Sequence, residues 1–195
     1  MSDLIIDGTG KGYRAKVDDS NRLHTHAYTV TMVEAAALQG NSFNVSTGLI
    51  ELTDTSDSAV FYIKNNTLDD LFFYRQDILI GQSAGGGVAI ATISYATSVA
   101  GGTIVTDNVT SVVVNSKIDD STVLGADTLV GGQGKTVVAA NSVSFAGTSS
   151  VSESPLVLPP SQTLAVSIQP PAGNTSQYVS YGASIISNAS IYGND

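Results

Sequence analysis

From Asn41 to the C-terminus, short apolar runs alternate with clusters of Gly, Pro, Asn, Asp and Ser. Apolar and polar residues alternating between turn residues predict strands. Residues 49–53 and 59–64 read as strands around a turn that starts at Asp54. The break at Asn65-Asn66-Thr67 and Asp69-Asp70 follows, then 71–80, the longest candidate, which holds Phe72, Phe73 and Tyr74. Gly85-Gly86-Gly87 reads as a flexible turn. Further strands are expected over 88–96, 103–105, 109–114, 124–130, 136–139 and 142–145. Another ends at Pro159-Pro160, since proline cannot donate to a ladder. Residues 164–168 and 178–186 complete the set, with a turn at Pro170-Pro171-Ala172-Gly173-Asn174 between them. About ten strands with near-regular turn signals predict an all-β protein, a β-sandwich of jelly-roll type. No repeat of fixed period is present, which argues against a propeller or solenoid.

One helix stands before the strands. Thr31 and Glu34 have capping-box spacing, Glu34-Ala35-Ala36-Ala37-Leu38-Gln39 are helix formers, and Gly40 supplies the stop. A helix of about two turns needs packing to persist. Met32, Ala35, Ala36 and Leu38 are its expected buried side.

The opening differs from all of this. Gly8, Gly10 and Gly12 alternate with polar residues, and each costs a helix roughly 1 kcal/mol. Residues 14–18 and 21–30 alternate like strands. Residues 1–30 are therefore expected to form an extended arm, and 31–195 a single β-sandwich domain with a short leading helix.

Charge sharpens the division. The chain has 8 Lys and Arg against 17 Asp and Glu, a net charge of −9. Residues 1–22 balance to zero, so the remainder carries the whole deficit. An acidic body repels phosphate backbones and argues against nucleic acid as a partner. The arm holds Lys11, Arg14, Lys16 and Arg22, followed by His24 and His26, the only histidines. These six are the candidate partner-binding residues. Arginine forks suit the carboxylates of an acidic protein surface. The competing expectation is that the arm packs on its own body as a first strand pair.

No catalytic set emerges. There is no cysteine, so disulfides and thiolate metal sites are excluded. His24 and His26 would share a strand face, but two ligands are too few for a stable metal site. No cofactor is expected. Asp18-Asp19, Asp69-Asp70 and Asp119-Asp120 are adjacent pairs, which point to opposite faces of a strand and favour turns. Gly134-Lys135-Thr136 resembles the end of a phosphate loop, but its first glycine is missing and a strand follows, so a hairpin turn is expected. Phe72-Phe73-Tyr74 could stack on a sugar; core residues with one exposed tyrosine are the favoured reading. Asn44, Asn65, Asn108, Asn174 and Asn188 begin Asn-x-Ser/Thr sequons. They are read as turn chemistry. No run approaches the roughly 20 apolar residues of a membrane span, and the N-terminus lacks the pattern of a signal peptide.

The segment Asp7-Gly-Thr-Gly-Lys-Gly-Tyr-Arg-Ala-Lys-Val-Asp-Asp-Ser-Asn-Arg-Leu-His-Thr-His resembles the opening of a group of tailed-bacteriophage virion structural proteins. The resemblance continues in Gly40-Asn41-Ser-Phe-Asn and in the block that starts Ala59-Val-Phe-Tyr. It returns in Leu158-Pro-Pro and in Pro170-Pro171-Ala-Gly-Asn-Thr-Ser. It touches both ends and the middle of the chain and leaves 81–150 unmatched. It implies a virion component with a β-sandwich on the particle surface, and no catalytic residues. The expectation is a non-enzymatic capsid decoration or cement protein, assembled in the host cytoplasm. Its expected partners are the major capsid protein and its own copies, most naturally as a trimer, with no membrane involved. A tail or baseplate adhesin that binds host glycan through 81–87 or 115–135 is the alternative. A hydrolase on a β scaffold ranks last.

Overall fold

The computed structural model describes residues 16–17, 23–24, 31–83, 85–95, 98–100, 113–118, 124–138, 141–146, 149–152 and 156–187. The chain divides into two units, Met1–Thr31 and Met32–Asp195. In the first, β1 (Lys16–Val17) pairs antiparallel with β2 (Leu23–His24).

The second unit begins with α1 (Met32–Leu38). The helix starts directly after Thr31 and ends as the glycine predicts. Gly40 has φ of 77°, its amide donates to the Ala37 carbonyl, and the Asn41 amide donates to the Ala36 carbonyl. That pair of bonds is a Schellman stop. The expected buried side needs correction: Ala36 is buried, but Met32 and Leu38 are exposed. The helix meets the sheet strands Ser42–Ser46 and Gln177–Ser187, and Ala36 lets its backbone approach closely. Leu38 lies roughly 200° around the helix from Ala36, and Met32 lies a turn before it, so neither reaches the contact.

The strands that follow are β3 (Ser42–Ser46), β4 (Ile50–Leu52), β5 (Ser58–Asn65), β6 (Leu71–Ile80), β7 (Ile90–Tyr95) and β8 (Ser98–Ala100). Then come β9 (Val113–Asn115), β10 (Ala126–Val130), β11 (Thr136–Val138), β12 (Asn141–Ala146) and β13 (Ser149–Ser152). The last three are β14 (Leu156–Leu158), β15 (Thr163–Gln169) and β16 (Gln177–Ser187). One sheet has the order β10-β5-β15-β7-β12, and the other β13-β6-β16-β3-β9, with β14 also on β6 and β4 also on β16. Every pairing is antiparallel.

With β9 and β10 removed, the sheets read β5-β15-β7-β12 and β13-β6-β16-β3. That is the strand order of a jelly roll, as the sequence predicts. β9 and β10 extend one side of the sandwich. β8 and β11 pair as a separate ribbon, and Val137 of that ribbon packs on Tyr62 and Ala165. The ribbon explains why β5 is buried on both faces.

Most of the core lies between the sheets. Phe61 and Tyr181 stack there with ring centroids 4.6 Å apart. β6 buries Leu71 and Phe73, then Gln76, Ile78 and Ile80. The parity changes because its pairing with β16 skips a residue: Phe73 faces Ile185 and Arg75 faces Ser184, leaving Tyr74 unpaired as a bulge. A bulge shifts the side-chain alternation by one position, so both halves of β6 turn apolar residues inward. A second skip in β5 leaves Val60 between Phe61 and Ala59.

The predicted strand over 103–105 lies outside the described residues, as do 109–112. β3, β8 and β13 are strands that the alternation did not single out. Gly85-Gly86-Gly87 forms the expected turn, with the Gly86 amide donating to the Ser83 carbonyl, but it is held against a second loop. A Cβ on Gly85 would stand 2.1 Å from the Gly173 carbonyl oxygen, so glycine is required for two loops to touch. Ser83 Oγ binds Asn174 in the same contact. The turn at Gly134 is present, with the Lys135 amide donating to the Gly132 carbonyl. It is no hairpin, however: it joins β10 and β11, which pair with different strands.

Candidate functional site

Two places concentrate polar chemistry. The first is the arm. Of its six candidate residues, Lys16 and His24 fall within β1 and β2 and are direct partners in the antiparallel register. At that point the arm folds back on itself instead of running extended. Lys11, Arg14, Arg22 and His26 lie outside the described residues.

The second place was not singled out from sequence. β16 turns Tyr181, Ala183 and Ile185 inward, so Ser180, Gly182 and Ser184 face outward. Gly182 pairs with Ser46 on one side and Asp77 on the other; Ser184 pairs with Asn44 and Arg75. Gly182 carries no side chain, and an open concavity of about 280 Å³ lies over the sheet there. Asn44, Arg75, Asp77 and Ser184 supply its polar rim. Ser184 Oγ donates to Asn44 Oδ1 at 3.0 Å, and Arg75 Nε lies 2.9 Å from Asp77 Oδ2. A Cβ on Gly182 would meet nothing closer than the Val45 carbonyl oxygen at 3.6 Å. The hollow is therefore open space that the fold leaves vacant.

The rim combines a guanidinium, a carboxylate, an amide and a hydroxyl on one floor. Hydroxyl-rich ligands present donors and acceptors together, and this set answers both. Among the described residues no group of three or more His, Cys, Asp or Glu could hold a metal ion. No helix among them is long and apolar enough to cross a membrane.

Other candidates resolve into structure. Asn65 is fully buried; its Nδ2 donates to the Asp69 and Leu158 carbonyls, and its Oδ1 accepts from the amide and hydroxyl of Thr67. Asn174 is buried and donates to the Leu52 and Asp54 carbonyls. Both amides are committed to holding turns, as the turn reading of those sequons requires. Asn44 is exposed, and Asn108 and Asn188 lie outside the described residues. Phe73 is buried in the core, while Phe72 and Tyr74 are half-buried, so the run offers no free aromatic platform. Asp69 and Asp70 occupy the turn between β5 and β6; the other two acidic pairs lie outside the described residues.

No family model matches the chain, and no curated protein matches it.

Proposed function

We propose that this protein is a non-enzymatic structural component of a tailed-phage virion, one that decorates or reinforces the capsid and docks through its N-terminal arm. The observation that carries the reading is the division at Thr31. A short unit holding four of the chain's eight basic residues precedes an acidic jelly roll. Arg14, Lys16 and Arg22 suit an acidic surface of the major capsid protein, and jelly rolls recur in viral capsid and lectin domains. That analogy of fold adds to the resemblance of residues 7–26 and does not replace it. The partners are other virion proteins and further copies of the chain, with a trimer as the expected mounted form. Labelled electron microscopy and quantitative proteomics of purified virions test this. Many copies spread over the head are expected; a few copies confined to the tail overturn it.

The concavity at Gly182 favours a second reading, a tail or baseplate adhesin for host glycan. It moves the expected sugar contacts from 81–87 and 115–135 to the outer face of β3, β16 and β6. Part of 81–87 is tied to the loop at Gly173, and β10 occupies part of 115–135.

A further inference from the structure

The sandwich treats its two sides differently. On one side, β9 and β10 cover β3 and β5. On the other, β12 and β13 end their sheets among the described residues. The two belong to one side because only Gly147 and Thr148 separate them in the chain. The three Cα steps from Ala146 to Ser149 reach about 11 Å, close to the spacing between packed sheets.

An edge strand presents unpaired amides and carbonyls, and proteins guard such edges with charge, proline or short length. The other edges follow that rule: β13 has only four residues and is followed by Glu153. β10 contains Asp127, β9 has three residues and is followed by Lys117, and β14 runs into Pro159-Pro160. From Thr136 to Ser152 there is no Asp, Glu, Lys, Arg, His or Pro. β12 is also six residues long. Val143 pairs with Ile93, whose own partner Val166 is fully buried in the core. Val143 thus stands on the core face, yet it is 56% exposed.

We infer that β12 is a dimerisation edge, which a second copy of this chain covers by antiparallel strand pairing. Charge selects that occupant. The body is strongly acidic, so two copies meet with least repulsion where acidic side chains are missing, and this edge is such a place. The sequence of the strand fits as well. Ser142-Val143-Ser144 is symmetric, so an antiparallel pairing centred on Val143 sets it against Val143 of the second copy. Ser142 then meets Ser144, and both core faces stay on the same side. The contact is isologous and closes as a dimer, joining two five-stranded sheets into one. It is separate from the three-fold association expected on the particle and does not depend on the virion reading.

Sedimentation of the full chain, with variants Val143→Lys and Val143→Glu, tests the pairing. Wild type is expected to sediment as a dimer. Each variant alone is expected to lose the dimer through like charges at the two-fold, and the mixture to recover it as a Lys–Glu heterodimer. Recovery on mixing separates a lost contact from a lost fold. Hydrogen exchange of wild type needs no variant: amides of 141–146 should gain protection as protein concentration rises. A monomeric wild type, a dimer that Val143→Lys leaves intact, or concentration-independent exchange in 141–146 overturns the inference.

Discussion

Phe61 from one sheet and Tyr181 from the other stack across the sandwich, their ring planes inclined by 26°. Tyr181 is also the polar centre of the core. Its hydroxyl donates to Gln76 Oε1 at 3.0 Å, and both side chains are buried. The apolar ring lets β16 pack on β5, while the hydroxyl ties β16 to β6. Replacing Tyr181 by Phe keeps the stack and strands the Gln76 oxygen. The expected loss is about 1–3 kcal/mol of stability in urea denaturation. Phe61→Ala removes the stack and leaves a cavity, with a larger expected loss of about 3–5 kcal/mol.

Burial raises the Tyr181 phenol far above its ordinary value of 10.0, with the nearby Asp77 charge adding to the shift. Burial, and then Asp127, raises Tyr62 in the same direction. A raised folded-state value means that the contribution is complete below pH 10.0 and is lost as pH climbs above it, because the unfolded chain ionises first. Stability should therefore hold to about pH 10 and then fall, with Tyr181 contributing up to about 1.4 kcal/mol per pH unit. Denaturation midpoints measured at rising pH should fall less steeply in Tyr181→Phe. An equal alkaline slope in both proteins would contradict the assignment.

Two glycines should respond in opposite ways. Gly85→Ala drives a Cβ into the Gly173 carbonyl, so the two loops must part and the urea midpoint should drop. Gly182→Ala meets only ordinary van der Waals distances. Its stability should be unchanged, or higher by up to about 1 kcal/mol. Because its methyl would stand on the floor of the hollow, Gly182→Ala also tests the adhesin reading. Wild-type binding on a glycan array that this variant loses would support that reading.

The β framework was legible because the alternation is strong where burial is one-sided. β6 falls at 71–80 as predicted, and the capped helix is bracketed by Thr31 and Gly40. β3 was harder to read, since Phe43 and Val45 are its only apolar residues, although their spacing of two carried the signal. β13 is serine apart from Val151 and gives no such cue. The helix's buried side does not follow from hydrophobicity alone: Leu38 is apolar but lies about 200° around the helix from Ala36. The concavity was invisible in the sequence for a different reason. Asn44, Arg75, Asp77 and Ser184 come from three strands separated along the chain, and only the register around Gly182 brings them together. The arm was legible as a change in composition, and the Lys16–His24 pairing adds a fold-back that alternation alone did not predict.

The proposed function has the cationic arm attach the sandwich to the particle. Deleting residues 1–26 tests it most directly, with binding to particles lacking the protein compared against the full chain. The account predicts that the shortened protein keeps the β-type circular dichroism and cooperative unfolding of the full chain but loses attachment. A shortened protein that stays folded and binds particles as well as the full chain would contradict it. One that fails to fold would show instead that the arm belongs to the sandwich.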